Sequence, residues 1–246
     1  MKKIKKHPKR KLRLRTVLMI AVILIIVALI IVQILFAPVL LSRLGERLTH
    51  PFAASVDVTD LVVANDTDGD DIDDASDIVC GARLEVTNRT AYRSNYYIGG
   101  YPPDDEGVCS DVVWRAFKNA GYDLKPMVDD DIAANSELYP LTDDKPDPNI
   151  DFRRVNDLNV FFSRHAQTLT LELLPRDADN LYLWQRGDIV ITKKGSNWHI
   201  AILSNMRNIN GVPYVIHNGG PFPSEENCLE QWAADDRIVG HYRWQY

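Results

Sequence analysis

Residues Val17 to Ala37 read VLMIAVILIIVALIIVQILFA, twenty-one positions without a charge. A helix that is apolar on every face at this length does not fit the surface of a soluble domain. At about 1.5 Å per residue the run covers about 30 Å, the thickness of a bilayer's hydrocarbon core. A cleaved signal peptide has a shorter apolar stretch, roughly 7–15 residues, and a small-x-small site after it. Here Phe52-Ala53-Ala54 puts a ring where a small residue belongs. Nine Lys/Arg fill the first fifteen residues, and only Arg43 and Arg47 follow the run closely. The positive-inside rule then keeps the amino terminus in the cytoplasm and exports the chain from residue 42 onward. The expectation is a basic cytoplasmic tail over 1–16, a single-pass transmembrane signal-anchor helix over 17–41, and an extracytoplasmic remainder.

That remainder is acidic. Nineteen Lys/Arg face 34 Asp/Glu in residues 16–246, a balance of −15. Nucleic acid is not a fitting partner, because phosphate binding needs a basic face. Three cysteines are too few for a disulfide scaffold or a Cys-rich zinc module. Nine Asp and no Lys or Arg lie between Asp57 and Asp77, which marks residues 42–71 as an acidic linker ahead of one domain, 72–246. Within it, Asp66-Thr-Asp68-Gly-Asp70-Asp71-Ile-Asp73-Asp74-Ala-Ser-Asp77 resembles a calcium loop of the thrombospondin type-3 kind. Asp66, Asp68, Asp70 and Asp77 fall at loop positions 1, 3, 5 and 12, where oxygen ligands suit calcium. Position six, normally Gly, is Asp71. The other reading is a solvated linker whose last Asp residues cap the next helix. No other cofactor is expected.

Periodicity organises the domain. Ile78, Val79, Ala82 and Val86 give a helical face over 75–86. Val112, Val113, Ala116, Phe117 and Ala120 give another over 109–120, stopped by Gly121. Residues 125–150 are rich in Asp and Pro and read as a loop with a short helix, and 154–165 as an amphipathic helix. Then the period changes to two, giving strands at 188–192, 198–203, 212–217 and 238–243. Helices first and an antiparallel sheet afterwards is α+β.

Cys109 opens the 109–120 helix, where the positive end of the helix dipole favours a reactive thiolate. A thiol nucleophile needs a histidine base, which can lie far along the chain. His199 lies at the start of one strand and His217 at the end of the next. A hairpin loop centred near residue 208 sets the two rings opposite each other on one face. An Asn210-Gly211 two-residue turn slips that register.

These residues carry a resemblance. Tyr96-Tyr-Ile-Gly-Gly100, Gly107-Val-Cys109-Ser, Arg186-Gly-Asp-Ile-Val190, His199-Ile-Ala-Ile and Val215-Ile-His217 resemble, in order, the motifs of NlpC-type papain-like cysteine amidases. Gly-Val-Cys-Ser-Asp-Val-Val, Asn149-Ile-Asp-Phe-Arg-Arg-Val155 and Gly240-His-Tyr-Arg243 are closer still to the bacterial YijF-like family, domain of unknown function 1287. The match covers about residues 72–246. It departs from the broader amidases at Val108 and Asp111, where they carry Asp and Gly. The resemblance implies a papain-like fold in which Cys109 attacks a carbonyl, His199 moves the proton and His217 orients His199. Asn218 is the alternative third member, and the Tyr96 hydroxyl a candidate oxyanion donor. With the anchor, it implies an amidase or peptidase working on a cell-envelope peptide, most plausibly of peptidoglycan. Two rivals stand beside it: a metal site built from Cys109, His199, His217 and His241, and a non-catalytic surface binding module. Arg153 and Arg154 read as structural ion pairs or a carboxylate clamp, His241 as a bonded core or rim residue, Asp188 as a turn former. Cys80 and Cys228 read as single buried thiols.

Overall fold

The structure, a computed structural model, describes residues 20–23, 55–141 and 145–244. It divides into two units, 1–53 and 54–246. Of the first, residues 20–23 are described and are helical; the rest of the expected anchor, 17–41, lies outside the described residues. Among the described residues no helix is long and apolar enough to cross a membrane.

The second unit is α+β. Helix α1 (Asp74–Asn88) leads to a two-residue strand β1 (Ala91–Tyr92), which pairs in parallel with β2 (Glu106–Gly107). Helices α2 (Cys109–Asn119), α3 (Leu124–Ala134) and α4 (Val155–His165) follow. The remainder supplies strands β3 (Gln167–Thr168), β4 (Ile189–Lys194), β5 (Asn197–Arg207), β6 (Pro213–His217), β7 (Ser224–Glu226) and β8 (Ile238–Arg243). Short helices α5 (Ala178–Leu181) and α6 (Leu229–Ala234) interrupt them. The strands form one antiparallel sheet in the order β3-β8-β4-β5-β6-β7.

Both faces of the sheet are covered, which the two-residue alternation of a strand makes possible. Ile189, Ile191, Ile200, Ile202 and Ile216 pack with Ile78 and Ala82 of α1, Val113 and Phe117 of α2, and Leu158 and Phe162 of α4. Val190, Ala201, Leu203 and Val215 pack on the other side with Leu181, Trp184, Leu229 and Trp232. Each fully buried side chain of this size contributes about 1.5–3 kcal/mol relative to leaving it in water. Helix α1 sits directly on α2, and Gly81 permits the approach: a Cβ there would lie 2.8 Å from the Ala116 Cα.

The short helix expected within residues 125–150 is the three-turn α3, with Leu124, Val128 and Ile132 buried at four-residue spacing. Pro126 falls in its first turn, where a missing N–H costs nothing. One expectation is corrected: the domain begins well before residue 72. Val56 N–H bonds Ile209 O, Gln185 Nε2 donates to Thr59 O, Leu61 N–H to Gln185 Oε1, and Arg186 Nη1 to Leu61 O. Val56 and Val58 join the second apolar cluster. Residues 56–61 are thus a strap on the domain rather than a free linker.

Candidate active site

The site is assembled at the start of α2. Val108, in extended conformation, caps the helix, and Cys109 is its first residue. Asp111 fixes this turn: its Oδ2 accepts the Val108 N–H at 2.7 Å and its Oδ1 the Trp114 indole N–H at 2.8 Å. Arg153 grips the same carboxylate with two bonds, Nε to Oδ1 at 2.7 Å and Nη2 to Oδ2 at 2.8 Å. Arg153 also donates to Asn95 O and lies over the Tyr97 ring at 5.0 Å. The aspartate that departs from the amidase pattern is therefore a fully buried scaffold group beneath the nucleophile position. Arg153 is its structural partner, while Arg154 pairs with Asp151.

Cys109 is 7% exposed. Burial pushes its thiol up to about 11; the backbone N–H of Ile200, which the thiol meets, opposes this, the Asp111 charge reinforces it, and the N–H groups of Ser110 and Cys109 pull downward. The helix amino terminus favours the thiolate as expected, but desolvation outweighs it. Ile200 is the next residue after His199, so the thiol meets the backbone of the strand that carries this histidine.

The two histidines meet. His199 Nε2 and His217 Nδ1 are 2.9 Å apart, with ring planes at 88° and centroids 4.8 Å apart. They are diagonal neighbours rather than a directly opposed pair. Ile202 faces Ile216 and Leu203 faces Val215. His217 then stands opposite residue 201 on the same face as His199. The register shifts between Leu203 and Arg207, so the ladder near the site and the turn at 208–212 obey different pairings. Trp232 of α6 presents an edge to both rings, at 5.8 Å from His199 and 5.3 Å from His217. On the far side, Glu226 Oε2 lies 3.8 Å from His217 Nε2. The nearby His217 ring holds Glu226 down to about 2, while burial, and then the His217 charge, lowers His199 to about 4.

Other named residues fall elsewhere. Asn218 is fully buried and donates to Gly107 O and Thr90 O while its Oδ1 accepts the Gly220 N–H. It ties the end of β6 to the strand ahead of Cys109 and does not join the histidines. Tyr96 is 55% exposed, and its hydroxyl is engaged by Asp147 at 3.0 Å and Asn149 Nδ2 at 2.9 Å. The tyrosine that senses the thiol is Tyr92: burial raises its hydroxyl, and next the Cys109 and Asp111 charges. Its ring lies beside Gly220. Neither Tyr92 nor Glu226 carries a sequence signal; pairing of β1 with β2, and of β6 with β7, brings them in. His241 is absent from the site. It is fully buried, stacked on Trp184 at 3.8 Å, and bonded to Thr170 O and Asp188. Asp188, read as a turn former, is a buried hub that also holds Arg243 and the Gln185 N–H. A metal set of Cys109, His199, His217 and His241 is therefore not assembled; the neighbouring ligand-type atoms are those of His217, Glu226 and Cys228, within 4.8 Å of one another. Burial pushes the Cys228 thiol up to about 12. Cys80 and Cys228 are both free, Cys80 being exposed rather than buried.

Residues 79–244 match the family model described as Domain of unknown function (DUF1287). The chain is 39% identical over 174 residues to the Uncharacterized protein YijF of Escherichia coli (strain K12), covering 68% of this chain and 80% of that protein.

Proposed function

This chain belongs to the DUF1287 family, and from that membership and the site's geometry we propose that it is a papain-like cysteine amidase or peptidase. In this reading it is held to the cell membrane by its amino-terminal helix and cleaves an amide bond in a cell-envelope peptide, that of peptidoglycan. The observation that supports the reading is the His199–His217 bond at 2.9 Å, on a strand whose Ile200 N–H meets the Cys109 thiol.

The atoms fit the roles. Glu226 favours the His217 tautomer protonated at Nε2, which leaves Nδ1 as an acceptor. His199 then donates from Nε2 to His217, and its Nδ1 lone pair is left for the Cys109 proton. Burial keeps both thiol and imidazole neutral in the resting protein, so the thiol proton passes to His199 Nδ1 as sulfur attacks the carbonyl carbon. The carbonyl π pair moves onto oxygen, and the Cys109 N–H with the Tyr92 hydroxyl stands as the candidate pair to stabilise it. Collapse breaks the C–N bond, and His199 returns the proton to the leaving amine. Water then attacks the thioester, with His199 as base, releasing a carboxylate and the free thiol. The substrate class rests on the anchor expected over 17–41 and on the resemblance of the motifs.

Purified peptidoglycan peptides incubated with the full chain test this. New amine and carboxylate termini are expected, lost in Cys109→Ala and His199→Ala and unaffected by phenanthroline, which takes transition metals but leaves calcium. Equal release by Cys109→Ala would remove the thiol mechanism. Loss of release in phenanthroline would favour a transition metal held near His217, Glu226 and Cys228 instead.

A further inference from the structure

The acidic stretch before α1 is not absorbed by this chemistry. Asp66, Asp68 and Asp70 bring carboxylate oxygens within 4.8 Å of one another. Oxygens around one calcium, each about 2.3–2.6 Å from it, spread over a distance of this size. Asp66 organises the loop, its oxygens accepting the N–H groups of Gly69, Asp70 and Asp71 at 2.7, 3.1 and 2.8 Å. Oδ1 takes two of these donors and Oδ2 one, so Oδ2 keeps a lone pair for a cation. Asp71, at the position where such loops carry Gly, adopts the left-handed conformation that Gly would supply, with φ of 71°.

A second observation comes from the helix. Asp77, three residues into α1, is 3% exposed, and its Oδ2 is buried without a hydrogen-bond partner. Leaving a buried carboxylate oxygen unpaired is costly, so such an atom asks for a ligand. Asp77 holds the twelfth position of the loop that Asp66 opens, so the orphaned group falls where the motif's spacing puts its last ligand. The two neighbouring aspartates are already used: Asp73 caps α1 and binds Arg186, and Asp74 accepts from Thr67 and Tyr122. Among the described residues no Lys or Arg forms an ion pair with Asp66, Asp68, Asp70 or Asp77.

We propose that Asp66, Asp68, Asp70 and Asp77 bind one calcium ion, which fastens the loop to the amino-terminal end of α1. The donors are all hard oxygens, with no nitrogen or sulfur among them, which excludes zinc and copper as natural occupants. Through α1, which rests on α2, the ion would brace the helix that carries Cys109. The inference does not depend on the catalytic reading.

The test is calcium titration of the full chain, stripped with EDTA and dialysed, followed by calorimetry and by thermal melting. One saturable site with a Kd of about 10⁻⁴–10⁻³ M is expected, as in extracellular calcium modules. The melting temperature should rise with calcium by mass action, and more than with equal magnesium. Asp68→Asn, at an exposed position, and Asp77→Asn should each weaken binding by about tenfold or more, on the order of one ligand's share of the affinity. Asp77→Asn should also melt no lower than the wild type without calcium, since it removes a repelled charge. A group kept only for structure would lower it. Asp57→Asn, outside the loop, should change neither quantity. A flat titration, or equal responses to calcium, magnesium and sodium chloride at matched ionic strength, would overturn the site.

Discussion

At the residue scale, the Cys109 environment sets two pH expectations. Its thiol is pushed up to about 11 by burial, and His199 is lowered to about 4 by the same cause. A raised thiol value means the reactive thiolate is scarce at neutral pH and grows about tenfold per pH unit. Chloroacetamide labelling of Cys109 in the ligand-free protein should therefore climb through pH 6–9 without levelling. A plateau below pH 7 would show a thiolate–imidazolium pair and contradict the neutral resting state. A lowered imidazole value has the opposite consequence for turnover. His199 remains an unprotonated base well below its ordinary pKa of about 6.5, so the acid limb of kcat/KM should fall near pH 4. Glu226 provides the third expectation. If it selects the His217 tautomer through the 3.8 Å contact, Glu226→Gln should cut kcat by about 10–100-fold with little change in KM. Unchanged kcat would leave Glu226 as a surface carboxylate.

At the scale of elements, the sequence exposes those whose apolar stripe is unbroken. Val112, Val113, Ala116 and Phe117 mark α2 because each is buried at 3.6-residue spacing. The short apolar run Ile189-Val-Ile191 marks β4, a strand buried on both faces, with Val190 covered by α5 and α6. The bounds of α3, expected only as a short helix within 125–150, were hidden because Pro126 and three consecutive Asp surround its narrow face of Leu124, Val128 and Ile132. The diagonal meeting of His199 with His217 was half legible: both histidines stand out, but the shift between Leu203 and Arg207 is a tertiary property. Tyr92 and Glu226 were not legible at all, since two-stranded pairings of two and three residues leave no period to read. The Asp111–Arg153 pair shows what the motif residues do beyond chemistry. Both are buried, and removing one partner strands a charge in the core. Arg153→Ala should cost about 3–5 kcal/mol in urea unfolding, whereas Arg154→Ala, whose guanidinium is 25% exposed and can be replaced by water, should cost less. Comparable losses would mean that the Asp111 carboxylate is not held as described.

At the scale of the whole molecule, composition shows an acidic domain behind a basic, apolar amino terminus, but not where the domain starts. Charge density drew the boundary at residue 72, because nine aspartates look like a solvated linker. Packing draws it earlier. The strap over 56–61 covers the second apolar cluster and satisfies Gln185, which is 1% exposed and bonds both Thr59 O and the Leu61 N–H. Removing the strap leaves that buried amide short of a donor and an acceptor, at about 1–3 kcal/mol for each unmet group. It also uncovers the apolar surface now shielded by Val56 and Val58. For a domain of this size each kcal/mol shifts the melting temperature by about 2–4 °C. A chain beginning at residue 72 should therefore melt about 5–15 °C below one beginning at residue 55, measured in EDTA so that the loop's cation plays no part. Replacing residues 56–61 by a Gly/Ser sequence of equal length should reproduce most of that loss, because the lost quantity is the contacts and not the chain length. Identical melting of the 55- and 72-residue starts would return the segment to a free linker, and the domain's boundary to the place where its charge changes.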